Sequence, residues 1–184
     1  MRRFVLAIIL SACGSDPTFL KVCFRSQSPV SYDSRQCKQE IVWSHMPLTV
    51  AMSPGLSDYG SSVDEAIVFW EREVGLNLFH QIPWDDRANA DITIEPATGK
   101  GRGSTSHTTA GGYLSAKVEI RYMGDLCEVY RIVSHELGHA LGLAHDPGAM
   151  SIMTGELDFG DDCFDHMWIV TDTDRSALRA RYVR

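Results

Sequence analysis

The sequence predicts an α+β domain of the α/β-sandwich type, built on one sheet. Three features carry that expectation. Strand-type and helix-type periodicities follow one another in the order strand, helix, strands, helix, loop, helix. Apolar residues make up 44% of the 184 positions and charged residues 22%, the composition of a packed globular chain. That length also suits one hydrophobic core better than two. Lys+Arg 17 against Asp+Glu 24 gives a net charge of −7. An acidic balance without a basic stripe argues against nucleic acid as a partner. The sequence has no apolar run of about eighteen residues or more, so a membrane-spanning helix is not expected.

Each element has its own signal. Leu48–Met52 reads as a strand closed by Ser53-Pro54-Gly55. Ser62-x-x-Glu65 is a capping box, and Val63, Ala66, Ile67, Trp70 and Val74 recur at helical spacing, which predicts an amphipathic helix over Val63–Val74 ended by Gly75. Leu76–Ile82 and Asp91–Glu95 read as short strands. Ala97–Gly112 is rich in Gly, Ser and Thr, and Ala116–Tyr122 alternates as a half-buried strand does. From Leu126 the apolar positions Leu126, Val129, Tyr130, Ile132, Val133, Leu137, Ala140 and Leu141 return to helical spacing, with Gly142 as the stop. Thr173–Arg181 makes a closing helix capped by Thr171 or Thr173.

The N-terminus reads as an export signal. Met1-Arg2-Arg3 is basic, Phe4–Leu10 is apolar, and Ser11-Ala12 are small. Leu10-Ser11-Ala12-Cys13 resembles the lipobox of bacterial lipoproteins, which implies signal peptide 1–12 and a lipid on Cys13 holding the chain to a membrane. Gly14 after Cys13 favours the outer membrane, on the periplasmic side or at the cell surface. Residues 13–40 then form a tether and an irregular stapled segment, and residues 41–184 the domain proper. Export makes disulfides the default for Cys23, Cys37, Cys127 and Cys163. Three pairings are open; the local choice joins Cys23 to Cys37 and leaves Cys127 with Cys163. No Cys-x-x-Cys pair is present, so a cysteine zinc site is not expected.

The chemistry concentrates in His135-Glu136-Leu137-Gly138-His139-Ala140-Leu141-Gly142-Leu143-Ala144-His145. His135 and His139 lie one helical turn apart on one face, about 6 Å along the axis. A continuing helix would rotate His145 roughly 240° away and carry it about 9 Å further. Gly142 removes that obstacle, because it tolerates the positive φ that lets the chain reverse. Three imidazoles on one zinc leave a coordination position for water, the layout of a catalytic ion. Glu136, about 100° round the helix from His135, is placed to take a proton from that water. A chance occurrence of this pattern is of order 10⁻⁵ for a chain this long.

The pattern HExxHxxGxxH followed by a methionine turn resembles the metzincin zinc peptidases. Ser151-Ile152-Met153-Thr154 is the turn candidate, with Met150 as the competing methionine. The distance from His145 to Met153 is similar to that of the matrixin branch. Ala66–Glu71, Asn89–Ile94 and Thr173–Leu178 resemble its first helix, central strand and final helix. The resemblance implies a metzincin fold with a twisted five-stranded mixed sheet and one antiparallel edge strand. That edge is expected at Gly103–Thr108, with Gly112–Leu114 as the alternative, and a peptide or protein substrate would add to it as a further strand.

It also implies a zinc endopeptidase, expected to be monomeric, with His135, His139 and His145 as ligands, Glu136 as general base and Met153 as an apolar floor. Gly155 stands two residues after Met153, so the tyrosine ligand of astacins and serralysins is absent. His107 is read as a solvent-facing loop residue rather than a ligand, and Asp146 as a loop anchor. Asp158, Asp161, Asp162 and Asp165 are read as a charged surface loop rather than a calcium site. His45, His80 and His166 carry no motif. The competing reading is a surface lipoprotein that uses the same fold for binding or adhesion with a non-catalytic zinc.

Overall fold

The computed structural model describes residues 19–21, 39–98, 102–110, 113–121, 125–145, 151–154 and 169–183. Cys13, Cys23, Cys37, Cys163, Asp146, Met150, Gly155 and the aspartates of 158–165 lie outside them. Two short strands come first, β1 (Phe19–Lys21) and β2 (Gln39–Ile41), paired antiparallel with Phe19 opposite Ile41. The segment expected to be irregular therefore contains backbone pairing that its sequence, lacking alternation, does not announce.

The main sheet is five-stranded. Its strands are β3 (Leu48–Met52), β4 (Phe79–Ile82), β5 (Ile92–Pro96), β6 (Gly103–Ala110) and β7 (Tyr113–Ile120), in the order β4-β3-β5-β7-β6. The first four in that order run parallel, and β6 is antiparallel to β7 at the edge. This is the mixed sheet with one antiparallel edge strand that the metzincin resemblance implies. Leu48, Val50, Ile92, Ile94, Val118 and Ile120 are fully buried on it. Their alternation along each strand is what a sheet requires when one face packs on helices.

Helix α1 (Gly60–Val74) starts before the predicted Val63, because a 3₁₀ turn at Pro54–Tyr59 leads straight into it. Ser62 is consequently inside the helix and not its cap. Its hydroxyl donates instead to the Leu126 carbonyl at 2.8 Å, tying α1 to the start of the next helix. Gly75 ends α1 at φ 74°, a conformation that costs a Cβ-bearing residue about 1 kcal/mol or more. The chain then returns through Leu78 and Phe79, whose N–H groups both donate to Glu71 Oε1 at 3.0 and 3.1 Å.

Helix α2 (Leu126–Ala140) packs against α1 and lies over β6 and β7. Asp125 caps it by accepting from the Cys127 N–H at 2.8 Å. Trp70, fully buried on α1, donates its Nε1–H to the Ser134 carbonyl at 2.7 Å, and Phe69 meets Tyr130 edge-on at 6.1 Å. Burying an aromatic of that size contributes about 2–3 kcal/mol through area alone. Helix α3 (Asp172–Tyr182), capped by Thr171, closes the back of the fold. It is held by Arg179 Nε to the Val74 carbonyl at 2.8 Å and by Tyr182 Oη to the Leu141 carbonyl at 2.9 Å. No helix among the described residues is long and apolar enough to cross a membrane.

Candidate metal centre

Backbone geometry at the end of α2 assembles the site. The Gly142 N–H donates to the His139 carbonyl at 2.9 Å and the Leu143 N–H to the Gly138 carbonyl at 3.0 Å. Gly142 itself has φ 91°. This pair of bonds around a left-handed residue is a Schellman closure, which satisfies helix carbonyls while reversing the chain. The reversal returns His145 to the face that carries His135 and His139. Ring centroids lie 4.6 Å apart for His135 and His139, 4.8 Å for His139 and His145, and 5.3 Å for His135 and His145. One ring nitrogen from each falls within 4.8 Å of the others.

The hydrogen bonds fix which nitrogens face inward. His135 Nδ1 donates to the Ile152 carbonyl at 2.8 Å and His139 Nδ1 to the Leu143 carbonyl at 2.9 Å. A carbonyl only accepts, so Nδ1 carries a proton in both rings and Nε2 is the nitrogen turned inward. Burial presses the His135 pKa down to about 4, against the opposing Ile152 hydrogen bond and helped by the charges of His139 and His145. The ring is thus neutral at ordinary pH. The two Nε2 atoms face each other at 3.0 Å. Two nitrogens on one tetrahedral zinc stand about 3.3 Å apart, close to this spacing. The donor set fits zinc, and the carbonyls of Ile152 and Leu143 are the outer partners that orient such ligands.

Glu136 is buried beside this cluster. Burial raises its carboxyl pKa, opposed by a hydrogen bond from Thr105 and by the charge of His145. Thr105 Oγ1 stands 2.7 Å from Glu136 Oε2 and 2.9 Å from the Glu136 carbonyl. Met153 is fully buried in the turn at 151–154, where its N–H donates to Ser151 Oγ at 3.0 Å. Its sulfur packs against Gly138, between the two helical histidines, and Trp70 Cζ2 closes on the same space. The turn is held to Ile169 by the Ile152 N–H at 2.9 Å.

His107 lies on β6 rather than in a solvent-facing loop. It is half-buried, faces α2, and its Nε2 stands 3.4 Å from the Ala140 carbonyl, which also accepts from Trp43 Nε1 at 2.8 Å. Burial lowers its pKa, the Ala140 contact opposing and the charge on His139 assisting. It is outside the three-histidine group. The strand, not the loop-like composition of 97–112, decides its position. Thr105, Gly103 and Gly138 carry no motif that singles them out, although the alternation of a β6 strand places Gly103, Thr105 and His107 on one face.

A match to the family described as Astacin (Peptidase family M12A) spans residues 35–149, more than half of the chain and the whole histidine motif. The chain belongs to the astacin peptidase family. Astacins are metzincin-type zinc peptidases, so the coarser expectation of a metallopeptidase stands at that level. None of the curated proteins compared with the chain matches it. The astacin match ends before the methionine turn, and the residue two positions after Met153 is glycine where the family's tyrosine ligand would be expected.

Proposed function

We propose that this astacin-family protein is a zinc-dependent endopeptidase whose site takes the matrixin-like form, three histidines without a tyrosine. The observation that carries the reading is the convergence of His135, His139 and His145, with Nε2 of the two helical rings turned inward, next to a buried carboxyl group. His135, His139 and His145 hold the ion, and Met153 forms the apolar floor beneath them. A bound zinc supplies polarisation of the peptide carbonyl and acidification of water. Glu136 accepts a proton from the water that attacks the carbonyl carbon and passes it to the amine nitrogen as the C–N bond breaks. Its raised carboxyl pKa brings its basicity closer to neutral pH, where a general base works best. Strand β6 ends the sheet, so its outer edge is available to an extended peptide that would pair with it as a sixth strand.

The remaining elements of the reading rest on the sequence. Export with a lipid on Cys13 follows from the N-terminal residues 1–13, and an oxidising compartment would let Cys127 enter a disulfide. The decisive experiment is Glu136→Gln. The variant is expected to keep its zinc, measured by metal analysis, while cleavage of a proteome-derived peptide mixture falls by about 10²- to 10⁴-fold. Undiminished cleavage would remove Glu136 from the mechanism. Zinc-loaded wild-type protein that cleaves no peptide would favour the binding or adhesion role.

A further inference from the structure

The Glu136 carboxylate is hydrogen-bonded to the edge strand through Thr105. The residues of β6 that face α2 are Gly103, Thr105 and His107, and the residues of α2 that they meet are Ile132, Glu136 and Ala140. Two residues of strand advance about 6.7 Å and four residues of helix advance about 6.0 Å, so the two rows stay in step over this length. The β6–β7 register, Gly103 opposite Ile120 and Thr105 opposite Val118, sets which residue reaches Glu136. A slip of one residue would present Ser104 or Ser106 from the wrong face.

At that point the strand offers two things. Gly103 leaves space: a Cβ there would stand 2.6 Å from Ile132 Cγ2 and 2.8 Å from Glu136 Oε1. Thr105 offers one hydroxyl, within reach of both Oε2 and the main-chain carbonyl of the same glutamate. The branched Cβ of threonine restricts χ1 far more than serine's does, so the hydroxyl is aimed rather than searching. We propose that Thr105 is a positioning residue for the peptidase reaction, fixing the Glu136 carboxylate against the strand that docks the substrate. Its hydroxyl acts on the reaction through Glu136. The substrate clamp and the holder of the base are then one strand.

This inference rests on the peptidase reading, and the test separates the two. Thr105→Val removes the hydroxyl and keeps the shape. Zinc-loaded variant is expected to show kcat reduced about tenfold or more, with KM changed less than about twofold, because only the orientation of the base is lost. Thr105→Ser should recover most of kcat. Zinc affinity, from competition with a chelator, should equal that of wild type in both. In the zinc-free protein the thermal midpoints of Thr105→Val, Glu136→Ala and the double variant should be non-additive, since the two side chains share a contact that either substitution removes. Thr105→Ala takes the place of the valine variant should that one not fold. Wild-type kcat in Thr105→Val alongside a dead Glu136→Gln overturns the positioning role and leaves the peptidase reading standing. Absence of cleavage in wild type removes the peptidase reading, and additive midpoints then remove the contact too.

Discussion

At the scale of single residues, the site depends on side chains and on their absence. Gly138 lies between the two helical histidines because the methionine sulfur and the Trp70 ring both occupy the space a Cβ would need, Cζ2 of the indole standing 2.8 Å from that point. Neither neighbour has room to retreat, since Trp70 and Met153 are both fully buried. Gly138→Ala, which in an exposed helix would gain stability, is therefore expected to cost about 1–3 kcal/mol. Equilibrium denaturation measures it, and a stabilised variant would show that Met153 does not pack where the structure places it. His135 illustrates the opposite case. Its inward nitrogen is prepared by a bond made on the outward one, and the partner is a main-chain carbonyl, Ile152, in the methionine turn. The turn thus orients the His135 ring.

At the scale of elements, the end of α2 is the decisive junction. The Schellman closure at Gly142 converts a helix that would carry His145 away into a turn that brings it back. A Cβ at Gly142 would be strained at φ 91° and would also press on the Ile41 carbonyl of β2. Gly142→Ala is expected to lose about 1–2 kcal/mol of stability and, beyond that, to weaken zinc binding at least tenfold by displacing His145. Gly75→Ala is the matched comparison. It sits at φ 74° with Arg179 Nη2 no nearer than 3.6 Å, at the end of a helix that carries no ligand. That variant should lose comparable stability and keep its zinc affinity, as read by chelator competition. Equal zinc affinity in both variants would detach the reversal from the metal.

At the scale of the whole molecule, the three histidines come from α2 and from the reversal after it, and the Ile152 carbonyl that bonds His135 comes from a turn pinned to Ile169. Metal binding should therefore stabilise the fold as a unit. At free zinc one hundredfold above its dissociation constant, the gain is about 2.7 kcal/mol. Stripping the metal with a chelator is expected to lower the thermal midpoint by several degrees and abolish cleavage, both restored by zinc. An unchanged midpoint would mean that the histidines do not bind the ion in the native state.

The sequence by itself determined the helices, most strands and the list of histidines. Periodicity, the stops at Gly75 and Gly142, and the one-turn spacing of His135 and His139 are local properties, written in adjacent residues. The metzincin pattern is likewise written in order along the chain, although the branch it resembles is the matrixins and the family matched is astacin. Tertiary structure alone decided what lies across from what. The capping box at Ser62 was legible but unused, because the preceding 3₁₀ turn extends α1 past it and the hydroxyl goes to Leu126. Thr105 and Gly103 meet Glu136 through the register of two elements distant in sequence, and main-chain carbonyls such as Ile152 have no letter in the sequence at all. Helical turns depend on neighbours three or four residues away, whereas the face an edge strand presents to a helix depends on the packing of the whole sheet.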